Sequence, residues 1–175
     1  MNAAAERTIN RIAASGLMVG AGFGLAGTLV ASPQLQACLW AIDSVGLVIA
    51  TALLALKYFR SGNDVVAGGF LVFAIGEAVL LSGTAAGPTA SVPAFAAGTA
   101  LWAAALALVS GPPVMPGWLR LVGVVAAVMF AITSARIYAG EALLPTSAPL
   151  PFLAYPVFVA TLLGWAWTLV GELRG

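Results

Sequence analysis

Apolar residues run along this chain in six long blocks, each close to the ~20 residues a helix needs to cross a hydrocarbon core of about 30 Å. The blocks extend from about Ile12 to Val30, Leu35 to Phe59, Val65 to Leu81, Val92 to Val109, Trp118 to Tyr138 and Pro151 to Leu173. Between them lie clusters of turn-forming residues: Ala31-Ser32-Pro33-Gln34, Ser61-Gly62-Asn63-Asp64, Ser82 to Ser91 with Pro88, the proline-rich stretch Gly111 to Gly117, and Gly140 to Pro149. Proline cannot continue a helix, glycine turns the chain, and Ser, Asn and Asp cap helix starts. The pattern predicts an all-α fold, a polytopic bundle of six transmembrane helices with short loops. Residues 1–175 form a single integral membrane domain. Short connections make successive helices antiparallel neighbours. The third block is the shortest, so its helix is expected to stand most upright or to thin the bilayer.

Composition agrees with lipid as the solvent. The chain has 175 residues, 62% hydrophobic and 7% charged, against about a quarter charged in a soluble domain. A net charge of +1 gives no electrostatic basis for nucleic-acid binding. Histidine is absent, which removes the commonest ligand for haem, zinc and copper. No cofactor or metal site is expected. Cys38 is the single cysteine, so no disulfide can form within the chain. Arg7 and Arg11 ahead of an apolar run imitate a signal peptide, and Leu35-Gln36-Ala37-Cys38 resembles a lipoprotein cleavage box. The run is longer than a typical h-region of about 7–15 residues and is read as the first spanning helix.

Orientation follows from Lys and Arg. With the N-terminus inside, Arg7, Arg11, Lys57, Arg60, Arg120 and Arg174 fall on the inner face and Arg136 alone on the outer. Both termini are therefore expected on the cytoplasmic side of the inner membrane. Trp118, Tyr58, Phe59, Trp165 and Trp167 fall towards the inner interface, and Trp40, Tyr138 and Tyr155 towards the outer, the depths amphipathic rings favour. Lys57, Arg60, Asp64, Glu172 and Arg174 are expected to form a solvated inner ring facing lipid phosphates.

Lipid tails are as apolar as the helices, so close packing has to hold them together, and small residues permit it. Gly16, Gly20 and Gly24 recur every four residues and form one stripe on the first helix. They are assigned to helix packing. Gly123, Ala127, Ala131 and Ala135 repeat the device on the fifth helix, and Ala96, Ala100, Ala104 and Ala107 on the fourth.

Three ionisable residues interrupt the apolar blocks in their outer halves. Asp43 lies about eight residues past the outer end of the second helix, roughly 12 Å deep at 1.5 Å per residue. Glu77 lies four residues before the outer end of the third, or roughly 6–7 Å deep. Arg136 lies near the outer end of the fifth. An ionised group in hydrocarbon costs several kcal/mol, so each should face the interior or water. The candidate ligand or ion pocket is a cluster of Asp43, Glu77 and Arg136. In the alternative, Arg136 snorkels to lipid phosphates and Glu77 is protonated and bonded to a carbonyl, Ser or Thr. Ser44 points away from Asp43 on the helix and is no ready partner for it. Phe70 and Phe73 share the face of Glu77. Trp102, midway along the fourth helix, is explained by neither aromatic belt.

Function is less constrained. Few loops and many small residues fit a non-catalytic accessory or assembly subunit that packs against other membrane helices. The alternative is a small channel or transporter for a proton, cation or small polar solute, using Asp43 and Glu77. An intramembrane enzyme acting on lipid ranks third, since no paired-acid metal motif occurs. The expected partners are membrane lipids, together with other membrane subunits or further copies of the chain.

Overall fold

The structure, a computed structural model, describes residues 3–87 and 90–174, and for Ala3 and Arg174 the backbone alone. Pro88, expected in a loop, and the Arg174 side chain, expected in the inner ring, lie outside the described residues. Six helices follow in order: α1 (Ala3–Leu29), α2 (Pro33–Arg60), α3 (Asp64–Ala85), α4 (Val92–Ser110), α5 (Gly117–Tyr138) and α6 (Ala154–Arg174). Helix accounts for 82% of the described residues, with no strand among them. All six helices are long and apolar enough to cross a membrane.

The helix ends differ from the apolar blocks in ways that local chemistry explains. α1 begins at Ala3 rather than near Ile12, because Ala-Ala-Ala-Glu-Arg favours helix whether or not it is apolar. α3 continues past Leu81 to Ala85. The Ser82 and Thr84 hydroxyls donate to the carbonyls of Val79 and Leu80, so these polar residues are satisfied by the helix itself. The expectation that the third helix is the shortest is therefore corrected: α3 has 22 residues, and α4, with 19, is the shortest. α6 starts at Ala154, after a turn at Pro151–Leu153. α2 starts at Pro33, inside the expected turn and two residues before Leu35, because proline is tolerated in a first turn; the Ser32 hydroxyl accepts from the Leu35 N–H at 3.4 Å.

Each helix packs on its two neighbours in chain order, and α6 returns to α1. No other pair of helices makes close backbone contact among the described residues. The result is a closed ring of six, in which α2 stands opposite α5. Two kinds of packing hold it. Where backbones approach, small residues meet: a β-carbon at Gly16 would come within 2.6 Å of the Gly46 carbonyl oxygen and 2.9 Å of the Ala50 β-carbon. Such proximity is what glycine stripes permit. Along the axis, where backbones stand apart, large rings fill the space. Trp102 stacks on Phe158 at 4.5 Å between centroids and meets Phe130 edge-on at 5.0 Å, while Phe73 stacks on Phe158 at 5.7 Å. Offset and edge-on geometries are those the ring quadrupoles favour. These rings tie α3, α4, α5 and α6 together across the centre. Outward-facing side chains such as Leu71, Ile75, Val128 and Ile132 are about half exposed, a surface that acyl chains solvate and water does not.

Candidate binding cavity

The two acids reach one cavity because their helices place them at one level. Asp43 sits ten residues into α2 from Pro33, and Glu77 eight residues before the end of α3 at Ala85. Those offsets are roughly 15 Å and 12 Å along the axes, measured from the end of the bundle opposite the termini. The extra turn of α3 brings Glu77 down to the level of Asp43. Both side chains are buried, with residue exposures of 8% for Asp43 and 1% for Glu77.

Successive residues of α2 serve different neighbours, as a rotation of about 100° per residue requires. Asp43 turns back onto the glycine stripe of α1, where its carboxylate lies against Gly20 and Gly24. Ser44 turns to α3, and its hydroxyl donates to Glu77 Oε1 at 2.6 Å. Trp102 of α4 brings its indole N–H up to the Glu77 carboxylate without closing a hydrogen bond.

These groups surround a small cavity of about 30 Å³ lined by Trp40, Asp43, Ser44, Glu77, Trp102 and Tyr155, with Leu80, Thr84, Phe95 and Pro145 towards the loops. That volume is room for one or two water-sized groups. A larger vestibule of about 130 Å³ adjoins it and shares Trp40, Leu80, Thr84, Phe95 and Pro145. Gln36, Ala37, Gly87, Ser91, Leu144 and Thr146 complete its wall, so it lies beneath the α1–α2, α3–α4 and α5–α6 connections. No cationic side chain lines either space among the described residues.

Four buried polar atoms have no hydrogen-bond partner among the described residues: Asp43 Oδ1, Glu77 Oε2, Trp40 Nε1 and Trp102 Nε1. All four belong to residues that line this one cavity. Most buried polar atoms in folded proteins are paired, and clustered exceptions call for a physical reason. Trp40 has a local one, since its pyrrole edge is pressed onto Gly27 of α1. The Trp102 N–H approaches the Glu77 carboxylate without closing a bond, and no donor among the described residues serves Asp43 Oδ1.

Arg136 is not part of this site, and the expected three-residue cluster is corrected accordingly. Its guanidinium forms a two-pronged pair with Glu141, Nε to Oε1 at 2.9 Å and Nη2 to Oε2 at 2.6 Å. Both side chains are substantially exposed, at 36% and 46%. Ring closure is the reason: α5 borders α4 and α6 and makes no close backbone contact with α2 or α3. Depth alone could not distinguish neighbours from opposites. The Arg136 hydrogen bonds hold the Glu141 carboxyl below its usual range.

At the other end of the bundle the expected solvated ring is also corrected. Lys57 is buried, at 7% exposure. Its ammonium donates to Asn10 Oδ1 at 3.0 Å and pairs with Glu172 Oε2, which also accepts from Asn10 Nδ2 at 2.8 Å. This knot joins α1, α2 and α6. Arg60 and Asp64 are exposed. Arg120 donates to the carbonyls of Ser110 and Gly111 at 2.9 and 2.6 Å, closing the end of α4, where a cation is favoured.

Sequence reasoning missed Ser44 as the partner of Glu77, and Tyr155 and Thr84 as lining residues. Trp102 carried the one usable signal, an aromatic outside both belts. Compared with known proteins, the chain matches no family model, no curated protein and no solved structure.

Proposed function

We propose that this chain is a small membrane channel or carrier for a cationic solute, with Asp43 and Glu77 as the binding acids. The observation that supports it is the pair of unpartnered carboxylate oxygens on one buried cavity beside a vestibule. Burying an ionisable group without a counter-charge costs several kcal/mol even on cautious scales. Groups kept at such a cost inside a membrane bundle are functional by default. A cation entering the cavity offsets that cost.

The bias of Lys and Arg supports placing both termini in the cytoplasm, with the vestibule opening on the opposite side. The accessory-subunit reading draws on the apolar outer surface, which lipid covers equally well, and on no particular site. The test is cation flux through reconstituted protein, with protons, alkali ions, ammonium and alkylammonium ions offered in turn. At least one drives a current that Asp43→Asn and Glu77→Gln abolish, while both variants keep the elution profile of the parent. Unchanged currents in both variants remove the reading. No current for any cation, with stable co-purification of other subunits from native membranes, favours the accessory role.

A further inference from the structure

We propose that the solute is a primary ammonium ion carrying a short apolar tail, its head between Asp43 and Glu77 and its tail in the vestibule. The inference rests on the cation-binding reading above and narrows it to a chemical class.

The inner cavity is sized for a head group. About 30 Å³ holds a group the size of water or –NH₃⁺ and excludes a quaternary ammonium. Two acceptors on its lining residues are free: Asp43 Oδ1 on α2 and Glu77 Oε2 on the neighbouring α3. Ser44 occupies Glu77 Oε1, which leaves Oε2 as the oxygen available to a ligand. An ammonium offers three N–H donors and suits carboxylate acceptors. The free Trp102 N–H, from a residue 98% buried on the same cavity, approaches Glu77 and adds a fixed dipole to that acid.

The walls argue against an alkali or alkaline-earth ion. Hard cations take six or more oxygens at short range. No group of three His, Cys, Asp or Glu occurs among the described residues. Beyond the two acids, half of the lining is aromatic, Trp40, Phe95, Trp102 and Tyr155, whose side chains offer no oxygen except the Tyr155 hydroxyl. The vestibule continues this logic. Its volume of about 130 Å³ and its Leu80, Phe95, Leu144 and Pro145 walls fit a chain of a few carbons, and five lining residues common to both spaces set it directly beside the head-group cavity.

The test is equilibrium dialysis of purified full-length protein in detergent micelles with radiolabelled methylammonium, propylammonium and tetramethylammonium, with Na⁺ and K⁺ as competitors. Propylammonium should bind saturably, about tenfold more tightly than methylammonium for its two further methylenes, and tetramethylammonium should not compete. Asp43→Asn or Glu77→Gln should weaken binding by about tenfold to a hundredfold, as expected for a lost charge-assisted contact. Leu144→Trp, which fills the vestibule outside the acid pair, should remove the advantage of the propyl tail. It keeps the inference testable where an acid variant does not fold. Na⁺ or K⁺ binding that depends on Asp43, with no alkylammonium binding, overturns this inference and leaves the cation-binding reading standing. Equal affinity for methyl- and propylammonium also overturns it. No cation binding that depends on either acid overturns both.

Discussion

The Asp43 carboxylate rests directly on Gly24: a β-carbon there would stand 2.8 Å from Asp43 Oδ2. The glycine stripe of α1 therefore does two things. Gly16 lets α1 and α2 backbones meet, and Gly20 and Gly24 leave room for the acid. Gly24→Ala should displace the carboxylate and weaken cation binding by about tenfold or more, while the protein remains folded. Gly20→Leu, which would overlap the Leu47 side chain, should destabilise by about 1–3 kcal/mol, the usual cost of overpacking. Thermal unfolding in detergent, read beside binding, separates the two. Unchanged binding in Gly24→Ala would count against this seat for Asp43.

A direct hydrogen bond between Ser44 and Glu77 links α2 to the site on α3. Ser44→Ala leaves Glu77 with neither oxygen bonded, so it should cost about 1–3 kcal/mol. Ser44→Thr retains the hydroxyl and should recover part of that loss. Denaturation midpoints of the two variants check it, and equal losses would show that the hydroxyl is not the cause.

Much of this architecture was legible from apolar blocks, because lipid forces backbone polar groups into helices. Helix ends were less so. Ser82 and Thr84 read as loop residues, yet their hydroxyls bond back to their own helix, and this moves the level of Glu77 by a turn. The Asp43 and Glu77 pairing was foreseeable from adjacent helices at similar depth. The placement of Arg136 was not, because ring order is a property of all six helices together, and its partner Glu141 lies in the loop. Lys57 reads as solvated because it sits near a helix end, and its buried partner Asn10 gives no signal because it precedes the apolar block that begins near Ile12.

The Asn10–Lys57–Glu172 knot is asymmetric, with Lys57 side chain 8% and Glu172 46% exposed. Removing the exposed partner strands a buried ammonium, whereas removing the ammonium strands a carboxylate that water reaches. Glu172→Gln should therefore cost about 1–2 kcal/mol and Lys57→Met less than about 1 kcal/mol. Chemical denaturation of both variants tests the order. A larger loss for Lys57→Met would mean that the ion pair, rather than burial of the cation, dominates.

Arg136 and Glu141 give a pH dependence of known sign. The Glu141 carboxyl is held below its usual range in the folded protein. Its contribution to stability is then present above the unfolded value and is lost as pH falls through the lowered folded value. Arg136→Gln should return the Glu141 titration towards the ordinary carboxylate range, seen by NMR of carboxyl-labelled glutamate. The same variant should leave cation binding unchanged, since Arg136 lies outside the cavity. A titration that does not move would show that the pair does not form in solution.

The claim beneath both functional proposals is that Asp43 and Glu77 face one cavity while Arg136 stands apart from it. A double-mutant cycle on unfolding free energy tests this directly. Asp43→Asn and Glu77→Gln combined should depart from the sum of the single effects by about 0.5 kcal/mol or more, as residues in one network do, whereas Glu77→Gln and Arg136→Gln should add within about 0.5 kcal/mol. Additivity in the first pair together with coupling in the second would contradict the arrangement.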